Sequence, residues 1–303
     1  MKKIAACAIA VGACLTLAGS ASIVAQSGQG QLPSPLPLSL GLRERGSSVT
    51  GAFEGWYRTK DGGMTLLVGY MNRNSKQEFD IPVGPNNRIE PGGPDMGQPT
   101  HFQSGRQWGI FTIKLPKDFG DKKLTWTIVA NGFTNAITLH TKQDYILEPF
   151  EDPANKNTPP MLKFSATGAG VSGPPEGFAA SLTAVVGEPL PLTTWATDEP
   201  AKVNNFSTFG PPAAAGAKPS GPPVPTLKWS LFRGPGTVTF EPFNPKVDRE
   251  KNNEAAAKAT FSAPGEYILR VQANDSTGEG GGGFQCCWTN AHVKVTVKAA
   301  ATQ

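Results

Sequence analysis

Histidine and cysteine, on which most catalytic and metal centres are built, are scarce here: three histidines and four cysteines in 303 residues. His101, His140 and His292 are scattered, and no H-E-x-x-H, G-x-S-x-G or Walker A pattern is present. A catalytic group assembled in space needs no such motif, so an enzyme is not excluded, but the sequence names no catalytic residue. Cys7 and Cys14 fall in the N-terminal apolar run, which leaves the adjacent pair Cys286-Cys287. Adjacent cysteines are unable to staple two sheets. Two readings stand for them: a vicinal disulfide in an oxidising compartment, or two thiols on opposite faces of a strand. There is no C-x-x-C redox pair or zinc knuckle, and nothing asks for a cofactor.

Charge is also sparse, at 17% of residues, where about a quarter is usual. Its two signs nearly cancel. Residues 1–25 hold two lysines and no acids, so the remainder has 26 basic residues against 24 acidic, a net charge of +2. That balance argues against nucleic acid as a partner. By contrast, the 35 glycines and 28 prolines mark a turn-rich all-β chain.

Lys2 and Lys3 precede an apolar run from Ile4 to about Ala18, and small residues lead on to Ala21 and Ala25. This reads as a secretory signal peptide, residues 1–25, cleaved after Ala25. An uncleaved anchor is the rival reading, and Cys14 after Val11-Gly12-Ala13 faintly matches lipoprotein processing. After removal of the signal no transmembrane segment is expected. Residues 26–46, rich in Gly, Ser, Pro and Gln, read as a flexible leader.

At this length two domains are expected, each large enough to bury a core without disulfides. Strand signals run through residues 47–148: Ala52 to Thr59, Met64 to Asn72, Glu78 to Val83, Trp108 to Leu115 and Leu124 to Ala130. Asn131-Gly132 is a strong hairpin turn, returning through Phe133 to His140. Residues 84–100 read as a long loop. Residues 149–180 form a Pro/Gly-rich linker, or add an edge strand, Met161 to Ala166, to the second domain. Residues 181–298 then read as a second sandwich with a short tail, 299–303. Leu182 to Val186 and Leu190 to Thr197 open it. Leu227, Trp229 and Leu231 alternate with Lys228 and Ser230; Tyr267, Leu269, Val271 and Ala273 alternate with Glu266, Ile268, Arg270 and Gln272. Ala257, Ala259 and Phe261 share a face, and His292 to Lys298 closes the set with its valines inward. Period-2 alternation between Gly/Pro turns means half-buried antiparallel strands, so the expected fold is all-β, two antiparallel β-sandwiches.

The combination W-S-L-F-R-G-P-G-T-V-T-F followed by T-F-S-A-P-G-E-Y-I-L-R-V resembles PKD-type and related bacterial immunoglobulin-like repeats of secreted proteins. It covers about the last 120 to 140 residues. The resemblance implies that Trp229 is the buried Trp of strand C and that Tyr267 is the strand F tyrosine bonding back to the chain, with Leu269 where the usual second Cys stands. The W-D-F-G-D-G signature of many PKD repeats is absent, since Trp229 is followed by Ser230-Leu231-Phe232-Arg233, so no ligand carries over. The motifs GYMNRN, PVGPNN and GQPTHF of the N-terminal half resemble a domain of uncharacterised secreted bacterial proteins, which implies export and no particular activity.

Three places are candidates for function. Asp198-Glu199 ends strand B and Asp275 ends strand F, at the same end of the expected sandwich, where oxygen ligands suit calcium; turn chemistry is the plain alternative. The long B-C and F-G loops at that end carry Phe206, Phe209, Phe284, Cys286, Cys287 and Trp288, as a recognition surface or as a plug over the core. Between Gly84 and Trp108, the residues Asn86, Asn87, Arg88, Asp95, His101, Arg106 and Trp108 bring together the amide, guanidinium and aromatic groups a sugar or peptide site uses, unless the asparagines simply make turns. The expectation is an extracytoplasmic, non-enzymatic binding or cell-surface interaction protein, its partner a surface polymer or another extracytoplasmic protein. An accessory carbohydrate-binding protein comes next, and a hydrolase with a spatially assembled site last.

Overall fold

The computed structural model describes residues 42–153, 156–199, 224–275 and 286–300. The apolar N-terminal run, most of the leader, and Phe206, Phe209 and Phe284 lie outside the described residues. Residues from Leu42 onward form one compact unit.

Eight strands alternate with turns through the first half: β1 (Val49–Arg58), β2 (Met64–Asn72), β3 (Phe79–Asp80), β4 (Asn87–Glu90), β5 (His101–Phe102), β6 (Gly105–Leu115), β7 (Leu124–Ala130) and β8 (Phe133–Leu139). They form a sheet ordered β1-β2-β6, a facing sheet β4-β7-β8 and the short ribbon β3-β5. The Asn131-Gly132 turn joins β7 to β8 with both residues at positive φ, 49° and 77°, the geometry a two-residue hairpin needs. The expected loop 84–100 supplies β4, because Ile89 fits the core and pairs opposite Trp126. Trp126, Phe111, Phe102, Leu66 and Val68 fill the space between the sheets.

The second half contains β9 (Met161–Lys163), β10 (Val171–Ser172), β11 (Ala180–Val185), β12 (Leu190–Thr197), β13 (Thr226–Arg233), β14 (Val238–Glu241), β15 (Glu254–Phe261), β16 (Gly265–Asn274) and β17 (Trp288–Lys298). Their sheets are ordered β10-β9-β12-β15-β14 and β11-β17-β16-β13. In immunoglobulin letters these orders are A-B-E-D and A′-G-F-C, with β10 added at one edge. Trp229 of β13 is buried and stacks on Phe240, ring centroids 6.4 Å apart. The Tyr267 hydroxyl donates to the Ala263 carbonyl at 2.8 Å and its ring packs edge-on to Phe261 at 4.9 Å, which forms the corner that the immunoglobulin fold places at the start of strand F.

Two details depart from expectation. Among the described strands, pairing is antiparallel except that β11 runs parallel to β17. The turn at Gly187 returns the chain antiparallel into β12 on the opposite sheet, so β11 comes to lie beside β17 in the same direction and covers that edge. The last strand begins at Trp288 rather than His292, with Asn274 opposite Trp288 and Gly265 opposite Val297. Its extra residues carry polar groups outward, and there they meet protein.

Candidate functional site

The outward face of the β11-β17-β16-β13 sheet is covered by residues 95–114 of the first sandwich. Arg270, opposite the core face of β16, is buried and donates to Gln107 Oε1 at 2.6 Å. Asn290 Nδ2 donates to the carbonyls of Trp108 and Gly109, both at 3.0 Å. Arg233 grips Asp95 with two bonds, 2.9 and 2.8 Å, and reaches the Gln98 carbonyl at 2.7 Å; the Thr100 N–H donates to the Phe232 carbonyl at 3.1 Å. Phe232 itself belongs to the first core. Arg270, Asn290 and Arg233 are therefore paired across the seam, while Gln272 Nε2 has no partner among the described residues.

Arg106 and Trp108, candidates for a sugar or peptide site, sit in this seam. Arg106 forms a two-pronged bond to the buried Glu54 carboxylate, 2.7 and 2.8 Å, and lies over the Trp108 ring with Cζ 4.0 Å from its centroid. Burial pushes the Glu54 carboxyl up, while the charge and hydrogen bonds of Arg106 pull against it. Gly69 makes room for the pair, since a Cβ there would collide with Glu54, Arg106 and the Gln107 carbonyl. Trp288, expected in a loop that serves as a recognition surface or as a plug, is buried: its ring meets Trp108 edge-on at 6.4 Å and its Nε1 donates to the Trp108 carbonyl at 3.3 Å. One residue from each of two separate candidate places thus meets the other. Asn87 is a core hub rather than a surface amide, donating to the carbonyls of Ile81 (2.9 Å) and Pro99 (2.7 Å) and accepting from Trp126 Nε1 at 3.0 Å. Asn86 is exposed, and Arg88 pairs with Glu90 at 2.8 Å.

At the end of the second sandwich, Asp198 and Asp275 come together. Burial raises the Asp198 carboxyl to about 7, with the negative charges of Asp275 and Glu199 adding to it. Asn157 Nδ2 donates to Asp275, while the Asn157 carbonyl faces the sulfurs of Cys286 and Cys287 at 3.8 and 3.4 Å. Those sulfurs form a vicinal disulfide. Glu199 is exposed, and among the described residues no three His, Cys, Asp or Glu side chains are placed to hold a metal ion.

The histidines differ in kind. His101 is held between Asp80 (2.8 Å) and Glu78 (3.2 Å), so both ring nitrogens are taken; burial lowers its pKa, and the carboxylates more than offset this, leaving it raised. His140 packs edge-on against Phe53 and Tyr145 at 4.9 and 4.6 Å. His292 is buried against Phe232, centroids 4.3 Å apart. Burial, then the charges of Arg270 and Arg233, push its pKa down to about 3 against a bond to the Ile110 backbone. The ring is neutral, and Nε2 has no partner among the described residues.

Asn290 and His292 line a cleft of ≈ 950 Å³ between the sandwiches, within the size range of about 300 to 1,000 Å³ typical of ligand pockets. Asn290 is 2% exposed, and its Oδ1 also lacks a partner among the described residues. Tyr57 and the exposed Phe150, ring centroids 5.5 Å apart, line it as well. Arg58, Lys60, Lys114 and Lys117 face Asp61 and Glu176 around it, and Lys114 pairs with Glu176. None of the cleft's principal residues stands out in sequence: Asn290 and His292 occupy outward positions of an alternating strand, where polar residues ordinarily face water.

No protein-family profile matches the chain, and no curated protein does. Among solved structures the chain is similar to the D00-D0 domain of intimin (TM-score 0.25, 12% identity, 82% of this chain and 100% of that one). It is similar also to titin A168169 (0.24, 12%, 82% and 98%) and to domains 4 and 5 of the S-layer protein SbsC (0.22, 10%, 83% and 98%). The immunoglobulin-like assignment rests on the strand orders and the Tyr267 corner. No helix among the described residues is long and apolar enough to cross a membrane.

Proposed function

We propose that this is an extracytoplasmic, non-enzymatic binding protein whose ligand enters the cleft between the two sandwiches. The observation that carries this reading is the cleft itself, a cavity of ligand size lined by the exposed Phe150 ring, by Tyr57 and by the cationic side chains of Arg58, Lys60, Lys114 and Lys117. Arg270, Asn290 and Arg233 bond across the seam beside the cleft, so its two walls hold their spacing without a ligand. Export is supported by Lys2, Lys3 and the apolar run after them. The partner is a surface polymer or another extracytoplasmic protein, and a carbohydrate-binding role is the favoured form because the cleft combines aromatic rings with hydrogen-bonding groups. The test is capture: the exported protein is passed over cell-wall, polysaccharide and extracytoplasmic-protein fractions, beside a Phe150→Ala variant. Retention that the variant loses supports the cleft. Retention unchanged in the variant places binding elsewhere.

A further inference from the structure

We infer that the protein binds a single-chain glycolipid, its aliphatic chain in a second, apolar cavity and its sugar in the cleft; the sugar half rests on the reading of the cleft as the ligand site. The second cavity, ≈ 470 Å³, lies at one end of the first sandwich, where β6 stops and β7 starts. Leu115 is the last residue of β6 and Leu124 the first of β7, and with Ile113 and Phe119 they bring the first core to the cavity wall. Met96, half-buried, packs against that core from the segment after β4, and its unbranched thioether adapts to an occupant's shape. Pro91 and Pro116, which also line the cavity, are exposed, so it opens to solvent. The polar side chains of the wall are already engaged: Thr112 donates to the Pro175 carbonyl at 2.8 Å, Lys114 pairs with Glu176, and Lys122 pairs with Asp118 at 3.7 Å. Among the described residues no buried side-chain polar atom of this lining lacks a partner. The wall therefore asks for neither a charge nor a hydrogen-bonding group, and an occupant gains there by removing apolar surface from water.

The occupant is set by what adjoins the cavity. Lys114 and Leu115 line both this cavity and the cleft, so the two meet at the end of β6. The cleft has the opposite character, with Arg58, Lys60 and Asp61 around the rings of Tyr57 and Phe150. A ligand that fills both carries an apolar part and a polar part on one molecule. A neutral sugar suits a rim of mixed sign, because a hydroxyl accepts from Arg58 or Lys60 and donates to Asp61, while the C–H face of the ring packs on an aromatic side chain. A fatty acid fits less well, since its carboxylate would meet Lys114 and Lys122, which already have Glu176 and Asp118.

The experiment is calorimetric titration of the full exported chain with methyl glucoside, octyl glucoside below its micelle threshold, and octanol. Two variants accompany it: Met96→Glu, which places a charge in the apolar wall, and Phe150→Ala in the cleft. Octyl glucoside is expected to bind at least about tenfold tighter than either other probe, since it buries methylenes and sugar through one molecule. Met96→Glu should weaken octyl glucoside and octanol about tenfold and leave methyl glucoside unchanged, because a charge opposes burial of a chain. Phe150→Ala should weaken both glucosides and leave octanol unchanged. Octyl glucoside that binds no tighter than octanol and ignores Phe150→Ala overturns the cleft as the sugar site, and with it the glycolipid. Octyl glucoside that binds no tighter than methyl glucoside, or is unaffected by Met96→Glu, overturns the chain site while the cleft stands. A measurement on the parent chain covers the case of a variant that does not fold: octyl glucoside with a diazirine at the chain end, photolysed in the complex, should label peptides from 91–96 or 112–124. Label confined to other peptides, or no binding by any probe, overturns the proposal.

Discussion

At the level of single residues, the second sandwich depends on a few large side chains. Trp229 is fully enclosed, so Trp229→Ala is expected to cost about 3 to 5 kcal/mol by leaving a cavity. Tyr267→Phe removes one hydroxyl bond and should cost about 1 kcal/mol. Urea unfolding of the two variants checks the ranking, and equal losses would mean that the tryptophan is not part of a packed core. His292 makes a pH prediction of definite sign. Its folded pKa, about 3, lies below the unfolded value of about 6.5. As pH falls from 6.5 the unfolded chain gains a proton that the folded chain refuses, so this group lowers stability by up to about 1.4 kcal/mol per pH unit until pH approaches 3. Asp198 acts in the opposite sense: its carboxyl, raised to about 7, keeps its proton where the unfolded chain has lost it, so its contribution falls as pH rises from about 4 to 7. Subtracting the stability of His292→Asn from that of the parent at each pH cancels Asp198. The difference should become less favourable to the parent as pH drops, and a flat difference would show that His292 titrates freely.

Among the elements, the segment from β5 to the end of β6 does more than its sequence announces. Its Arg106 neutralises Glu54 in a nearly closed site. Arg106→Met alone leaves a buried carboxylate unpaired and should cost about 3 kcal/mol, whereas Glu54→Leu combined with Arg106→Met should recover much of that loss. Thermal unfolding of the single and double variants decides it; an additive loss would mean that the pair is not coupled. The same segment shows where inference from sequence stops. The inward faces were readable because Leu227, Trp229 and Leu231, and Tyr267 to Ala273 apart from Ile268, alternate between apolar and polar residues. The outward faces were not. Lys228, Ser230, Arg270, Gln272 and Asn290 look like residues facing water, and nothing in a polar side chain distinguishes water from the amides and carbonyls of another sandwich. Trp108 and Trp288 were noticed as aromatics, but their contact joins residues 180 apart in the chain, and no local pattern encodes it. The cleft shares this origin, since its walls come from β1, β6, residues 170–179 and β17.

Across the molecule, the consequence of covering both faces of one sheet is kinetic. Leu269, Val271 and Ala273 of β16 lie in one core, while Arg270 and Gln272 of the same strand lie in the seam, and β17 alternates likewise between Val293 and Asn290. A backbone amide in such a strand meets deuterated solvent only when core and seam have both come apart. The amides of Leu269 to Ala273 and of Ala291 to Val295 should therefore exchange slowest, with a common free energy equal to that of global unfolding. Strands β8 and β14, each at the outer edge of its sheet, should exchange through smaller, local openings. A chain that opened first at the seam would instead release β17 early while β12 and β15 stayed protected, and mass-resolved exchange of peptides from those strands distinguishes the two orders. In the first case the cleft persists for as long as the protein stays folded, and its occupant gains or loses access without any part of the wall having to unfold.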